Sequence, residues 1–397
     1  MLAALAAGLG KSSLPATQTQ DLLAQVAQAY DVTVNVSVLS SLLMVGDPSS
    51  GRLRLQTIGG SYRFDQVQAV QDELARARLG TMPPADITQA LQRIDTEAAP
   101  RPAWARVAGY GLACVGFAAA LRLEPTLLIV ALVLGILVGA ALVSVKPKST
   151  GVALLPVVAT FACALAIGLL TDVTGIEDSV RLAAVPVLFL LPGAAITASV
   201  IELVNGDMLA GSSRLVYSIM QLLAMGFAFA LAIDVAGVPT ADLSDLSAHA
   251  GPAWLAWLGA VGFAAGLSLF ECLPRPLWLA TLTLALVAFT TQQVLSVWVT
   301  SSLAGGVAAA VALLGALILT RKGGSGPTAF VVFIPAFWLI VPGSLGFTVL
   351  TGVLTSDTSL SSLAPEAAFT FLAMAIGIML ASLIWARFQG RDSRANP

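Results

Sequence analysis

Thr126 to Ser144 reads TLLIVALVLGILVGAALVS, nineteen residues without a charge. Coiled as an α-helix at about 1.5 Å per residue it is about 28 Å long, close to the hydrocarbon thickness of a bilayer. This is a membrane-spanning segment, and the composition of the whole 397-residue chain agrees: 57% of residues are hydrophobic and 11% charged, with mean hydropathy +0.88. Such values exclude an ordinary soluble enzyme. The formal charge of -2 provides no basic excess for nucleic acid. Cys114, Cys163 and Cys272 all lie in apolar runs, and three buried thiols read as small packing residues rather than a disulfide framework.

The charges are unevenly spread. Residues 1–106 carry nine Lys/Arg and nine Asp/Glu, whereas the remaining 291 residues carry 24 charges. A soluble head therefore precedes a membrane body. The apolar opening, Met1 to Gly10, lacks a basic flank on its N-terminal side and reads as part of a packed helix rather than a signal peptide. Thr19 to Tyr30 places Leu22, Leu23, Val26 and Ala27 on one helical face. Asp31 to Val45 alternates as a strand, Asp47-Pro48-Ser49-Ser50-Gly51 reads as a turn, and Leu53 to Ile58 alternates again. Phe64 to Leu79 and Pro84 to Ile94 are predicted helices, with Ala98 to Pro102 as linker. The head is thus a small α+β unit.

Outward from Thr126, apolar runs recur at 104–121, 126–144, 151–170, 182–204, 214–236, 252–271, 277–299, 303–320, 328–351 and 366–386, ten in all. Their alternation places eleven Lys/Arg on the side of the head (Arg101, Arg106, Lys146, Lys148, Arg214, Arg275, Arg321, Lys322, Arg387, Arg391 and Arg394) and only Arg122 and Arg181 on the other. By the positive-inside rule both termini are cytoplasmic.

The body contains signs of duplication. VGFAA occurs at Val115 to Ala119 and at Val261 to Ala265, and Pro192-Gly193 in the fourth run has a counterpart in Pro342-Gly343 of the ninth. Asp207 and Ser212 likewise match Asp357 and Ser362. Five runs per copy is an odd number, so the second copy enters the membrane from the opposite side, the plan of many secondary transporters. Pro192-Gly193 lies about ten residues into its run, about 15 Å deep and near the midplane. Proline removes a backbone donor and glycine loosens the backbone, so each pair predicts a helix break, and freed polar groups at that depth need partners. A half-helix starting near Ala194 presents N–H groups and a partial positive charge, a seat for a carboxylate. Thr197 lies one turn on, and Ser344 and Thr348 hold comparable places in the second half. The plain alternative is that both pairs are packing kinks.

Leu188 to Arg214, LFLLPGAAITASVIELVNGDMLAGSSR, resembles the hallmark segment of the threonine/serine exporter family: Leu-Pro-Gly, a following Thr, Glu-Leu, Gly-Asp, then Gly and Arg. Ile334 to Gly343, IPAFWLIVPG, resembles the matching segment of that family's C-terminal half, and the similarity runs over nearly the whole chain. It implies a bacterial inner-membrane exporter of small hydroxylated amino acids driven by the proton motive force. Some relatives are associated with dicarboxylate export, so the resemblance leaves the substrate open between the two.

The remaining polar residues admit two readings each. Glu202 is an ionisable group in a membrane run, a candidate for coupling, or a residue facing interfacial water or paired with Arg214. Asn205, Gly206 and Asp207 can close the inner mouth of a cavity, while Asp207 and Asp357 also suit helix N-caps. Arg214 is a positive-side anchor or a partner of Glu202 or substrate. Gln221, Gln292 and Gln293 must face protein or a wet cavity, lining a path or bonding between helices. Asp234 and Glu271 fall at run ends. His249, the one histidine, lies in a loop beside Asp242 and Asp245 and makes no zinc site. Gly8 to Ser13, GLGKSS, lacks the first glycine of a phosphate loop, because Leu5 stands there.

The expectation is therefore an all-α polytopic membrane protein, ten transmembrane helices in two inverted five-helix repeats (103–237 and 238–397), preceded by a cytoplasmic α+β domain (1–102). Substrate binding is expected at Pro192, Gly193, Thr197, Gln221, Pro342, Gly343, Ser344 and Thr348, and coupling or gating at Glu202, Asn205, Asp207 and Arg214. The partners are a small-molecule substrate and the bilayer, without nucleic acid, cofactor or metal, and homo-oligomerisation is left open. No HExxH, GxSxG or mid-depth aspartate pair supplies an intramembrane enzyme. A membrane-embedded sensor is the remaining alternative.

Overall fold

The computed structural model describes residues 1–12, 14, 16–38, 42–47, 51–57, 59–145, 151–174, 179–238, 251–320, 328–340 and 360–395. The head begins with two helices, α1 (Leu2–Lys11) and α2 (Ala16–Ala29), followed by an antiparallel sheet of β1 (Asn35–Val38), β2 (Leu42–Asp47) and β3 (Arg52–Thr57), and then α3 (Phe64–Arg78) and α4 (Pro84–Thr96). The run from Asp31 to Val45 is two strands rather than one. Val38 pairs with Leu43 in the antiparallel ladder of β1 and β2, and residues 39–41 lie outside the described residues. The segment after Val38 carries neither Gly nor Pro, so no turn signal marks the end of the first strand. The second turn falls where Asp47-Pro48 suggested, with Asp47 opposite Arg52. Leu5 and Leu9 of α1, Leu23 and Val26 of α2, Leu74 of α3 and Ile87 of α4 are all fully buried in one apolar core.

The body follows as α5 (Ala103–Ala120), α6 (Leu127–Ser144), α7 (Gly151–Thr174), α8 (Ser179–Ala184), α9 (Gly193–Val204), α10 (Met208–Ala236), α11 (Ala253–Phe270), α12 (Trp278–Leu295), α13 (Ser301–Thr320), α14 (Thr328–Ile340) and α15 (Leu360–Ala395). Among the described residues eight helices are long and apolar enough to cross a membrane, and they coincide with eight of the ten runs. The other two runs are the fourth and the ninth. The fourth is not one helix: α8 stops at Ala184, a single 3-10 turn covers Leu188–Leu190, and α9 starts anew at Gly193. In the ninth, α14 reaches Ile340 with Pro335 inside it, and Pro342, Gly343, Ser344 and Thr348 lie outside the described residues, as does His249.

The centre of the bundle is the crossing of α5 and α11. Apolar surface gains nothing by leaving lipid for protein, so membrane helices associate through close packing, which small residues permit. Here a Cβ on Gly116 would lie 2.2 Å from the backbone nitrogen of Phe263, one on Gly259 2.5 Å from the Gly116 carbonyl, and one on Gly266 2.3 Å from the nitrogen of Ala113. Gly109 faces Gly266 as Gly116 faces Gly259, so the helices run antiparallel with backbones touching at two levels seven residues apart. Both VGFAA strings lie in this contact.

The helix ends in that pair are closed by arginines. At one end Arg101 donates to the carbonyls of Ser268, Leu269 and Leu273, and Arg106 to that of Phe270 at 3.0 Å. At the other, Arg181 donates to the Leu121 carbonyl and Arg122 to that of Gly251 at 3.1 Å. The last turn of a helix has carbonyls without intrahelical donors and a partial negative charge, and a guanidinium answers both. Arg181, one of the two exceptions in the charge count, fits this account, whereas Arg122, the other, ties the end of α5 to the segment before α11. The head sits at the end carrying Arg101 and Arg106: the Phe64 N–H donates to the Glu271 carbonyl at 2.9 Å, and Ala210 and Phe330 pack against the head's core.

Gly116→Val is expected to force α5 and α11 apart, destabilising the fold by about 1–3 kcal/mol or more. The checking measurement is the thermal unfolding midpoint of the detergent-purified chain, with Gly59→Ala, whose added methyl meets nothing within 4 Å, as the control.

Candidate functional site

Between Ala184 and Gly193 the fourth run has no continuous helix, deep in a bundle of apolar helices. Backbone groups there cannot turn to water, and lipid offers no donors, so side chains must meet them. They do. The Tyr110 hydroxyl of α5 donates to the Pro186 carbonyl at 2.8 Å, the Cys114 thiol of α5 reaches the Val185 carbonyl at 3.7 Å, and the Gln221 amide of α10 donates to the Leu190 carbonyl at 2.7 Å. Tyr110 is fully buried. Its ring and those of Phe270 and Trp338 surround Phe189, with centroids 5.0 Å (Tyr110), 6.3 Å (Phe270) and 5.2 Å (Trp338) from it. Helices α5, α11 and α14 thus wall the interruption with aromatic rings.

Pro192 is the N-cap of α9 and Gly193 its first residue, so the break falls where the Pro-Gly pair predicts. The Pro192 carbonyl accepts from the Ile196 N–H at 2.9 Å, which leaves the first N–H groups of α9 without partners inside the helix. Thr197 is buried one turn on and its hydroxyl donates to the Gly193 carbonyl at 3.1 Å. Gln221 reaches the same segment, but as the donor that ties Leu190 to α10.

Toward the head, α9 ends at Val204, Asn205 is its C-cap, and Gly206, at φ 88°, turns the chain into α10. Gly206 adopts a left-handed conformation that costs other residues energy. Glu202 is fully buried, and its Oε1 is 2.9 Å from Nη2 of Arg214 and accepts from the Ala16 N–H at 3.2 Å. The last contact crosses from the body to the first turn of α2 in the head. Asp207 occupies the N-cap position of α10, yet its side chain makes no capping hydrogen bond. Pro192, Gly193, Thr197 and Gln221 therefore gather at the interruption, and Glu202, Asp207 and Arg214 form a second cluster at the end of α9. Pro342, Gly343, Ser344 and Thr348 fall outside the described residues.

The sequence reading takes Cys114 as a packing residue and gives Tyr110 no role, since a Tyr and a Cys in an apolar helix give no sign of facing a broken neighbour. Gln292 donates to the Ile340 carbonyl at 3.4 Å, two residues before Pro342, as Gln221 does two residues before Pro192. A groove of about 760 Å³ between α13 and α15, lined by Leu303, Val307, Phe369 and Ile376 among others, is apolar and unsuited to a polar substrate. Among the described residues no group of His, Cys, Asp and Glu is placed to hold a metal ion.

Replacing Tyr110 by Phe strands a buried carbonyl and Gln221 by Leu a half-buried one, with an expected loss of about 1–3 kcal/mol for the first and less for the second. Because the two carbonyls differ, the double variant should lose close to the sum, read as unfolding midpoints of the purified protein.

No curated protein and no solved structure matches the chain. A family model does match: ThrE, described as "putative threonine/serine exporter", over residues 1–236, which takes in the head, the interruption and the Glu202 cluster. The chain is a multi-pass membrane protein that belongs to the ThrE family of threonine/serine exporters.

Proposed function

We propose that the protein is a secondary exporter of small hydroxylated amino acids, threonine and serine, across the bacterial inner membrane. The observation that carries this reading is an interrupted span, held open by side-chain donors, inside a chain of this family. Interrupted helices are where secondary transporters expose backbone groups to substrate near mid-depth. The first N–H groups of α9 suit the substrate carboxylate. The Thr197 hydroxyl and the Pro192-Gly193 turn suit its small polar side chain.

In this reading the head (1–102) is cytoplasmic, both termini are inside, and the body consists of two five-span repeats (103–237 and 238–397) related by an axis in the membrane plane. The antiparallel contact of α5 with α11, each carrying VGFAA, supports that relation. Pro342 and Gly343, with Ser344 and Thr348, form the second wall of the site, and rocking of the repeats gives alternating access. The proton motive force is the driving gradient. Glu202, Asn205, Asp207 and Arg214 guard the inner mouth, where an acidic group can exchange protons with the cytoplasm. The protein acts as a transporter and performs no catalysis.

Counterflow in proteoliposomes tests this. With unlabelled threonine inside, labelled threonine should accumulate transiently and an imposed pH gradient should change the net flux. Gly193→Leu should reduce the rate by about tenfold or more, because a side chain there fills the approach to the N–H groups. Succinate counterflow without threonine counterflow would assign the chain to dicarboxylates. Absence of flux for threonine, serine and succinate would contradict the transporter reading and favour the sensor.

A further inference from the structure

At the end of α9 the buried Glu202 and the half-buried Asp207 and Arg214 each have one buried polar atom left over. Oε2 of Glu202, Oδ2 of Asp207 and Nε of Arg214 each lack a hydrogen-bond partner among the described residues. Glu202 is fully buried, and Arg214 retains 20% of its side-chain exposure. Unpartnered buried polar atoms are rare in folded proteins, and three within one ion-paired cluster are a concentration that packing does not explain. The charges of Arg214 and Asp207 both act on Glu202, and the Asp207 N–H donates to the Glu202 carbonyl at 2.9 Å, so the three belong to one unit. Asp207 leaves its helix uncapped by its side chain, so that carboxylate is not committed to α10.

The leftover set has a definite complement. Two carboxylate oxygens without donors call for a cation with several N–H groups, and one guanidinium N–H calls for an anion. An α-ammonium and an α-carboxylate on one carbon supply both. A dicarboxylate supplies only the second, and would set like charges against Glu202 and Asp207. The cluster carries two negative charges and one positive, so it favours a ligand with a cationic end.

We infer that Glu202, Asp207 and Arg214, roofed by the first turn of α2, form a recognition site for the charged ends of an α-amino acid, and that this site selects amino acids over dicarboxylates. The inference rests on the exporter reading and adds to it where selection occurs. The Glu202–Arg214 pair occupies the site in the ligand's absence, each partner standing in for one end of the zwitterion. The ligand's ammonium takes the two carboxylates and its carboxylate takes Arg214. Because the Ala16 N–H also rests on Glu202, filling the site shifts the contact between head and body.

The test is calorimetric binding to the full chain in detergent, using threonine, threonine methyl ester, N-acetylthreonine and succinate, with threonine counterflow run beside it. The wild-type chain should bind threonine and bind the other three about tenfold or more weakly. D207N, close to isosteric, should weaken threonine binding by a similar factor and narrow the gap between threonine and N-acetylthreonine. R214Q should narrow the gap between threonine and its methyl ester. E202Q and R214Q each remove half of a buried ion pair and can unfold the chain, so the inference is judged on D207N first and on R214Q only where it is verified, like D207N, as folded and monodisperse. Wild-type affinity and unchanged selectivity in both, with threonine counterflow intact, would overturn this site while leaving the exporter reading in place. Tighter binding of succinate than of threonine would overturn the selection claimed here. Lack of threonine and serine flux in the wild-type chain would remove the exporter reading, and the inference with it.

Discussion

The structure depends on one constraint: a backbone carbonyl inside a membrane bundle must find a donor that belongs to the protein. From Val185 to Pro192 the fourth run gives up its continuous helix; short backbone turns meet some of its carbonyls, and Tyr110, Cys114 and Gln221 reach those of Pro186, Val185 and Leu190. Those donors come from α5 and α10, so the interruption fixes the placement of both. Helix α5 can approach only because Gly109 and Gly116 let it lie backbone to backbone on α11. A local departure from helix is thereby supported by the long-range architecture.

The same economy governs the charged residues. Few Lys and Arg enter the body, and those at helix ends close carbonyls, as Arg101, Arg106, Arg122 and Arg181 do on α11, α5 and the loop before α11. Arg214 differs because its partner is a buried carboxylate and one of its N–H groups is left over. That difference separates a residue that completes a helix from one at which recognition is proposed. Glu202 also joins the two parts of the molecule, since the N-terminus of a head helix rests on its carboxylate, an arrangement favoured by the helix dipole.

Much of this was legible in the sequence, and the reason differs by element. Eight runs became continuous helices because roughly twenty uncharged residues leave the backbone no other way to satisfy itself in lipid. The fourth run looked like a span with a kink at Pro192-Gly193, whereas its helix already ends at Ala184. Hydropathy does not register such a gap, because Val185 to Leu191 is as apolar as a helix would be. In the head, Asp31 to Val45 read as one strand, whereas Val38 pairs back with Leu43, and no Gly or Pro between them signalled it. The Glu202–Arg214 pair was among the alternatives that twelve-residue spacing and opposite charge allowed. Its contact with Ala16, across 186 positions, was beyond any local pattern.

The central claim is that the start of α9 is a substrate-facing surface reached from both sides of the membrane in turn. The direct measurement is thiol labelling of Ala194→Cys with a membrane-impermeant maleimide, in right-side-out and inside-out vesicles. Cys114, Cys163 and Cys272 are buried and form a low background. The account predicts labelling in both vesicle orientations, slowed by threonine. Failure to label from either side in a variant that still transports, or labelling that threonine leaves unchanged, would contradict it.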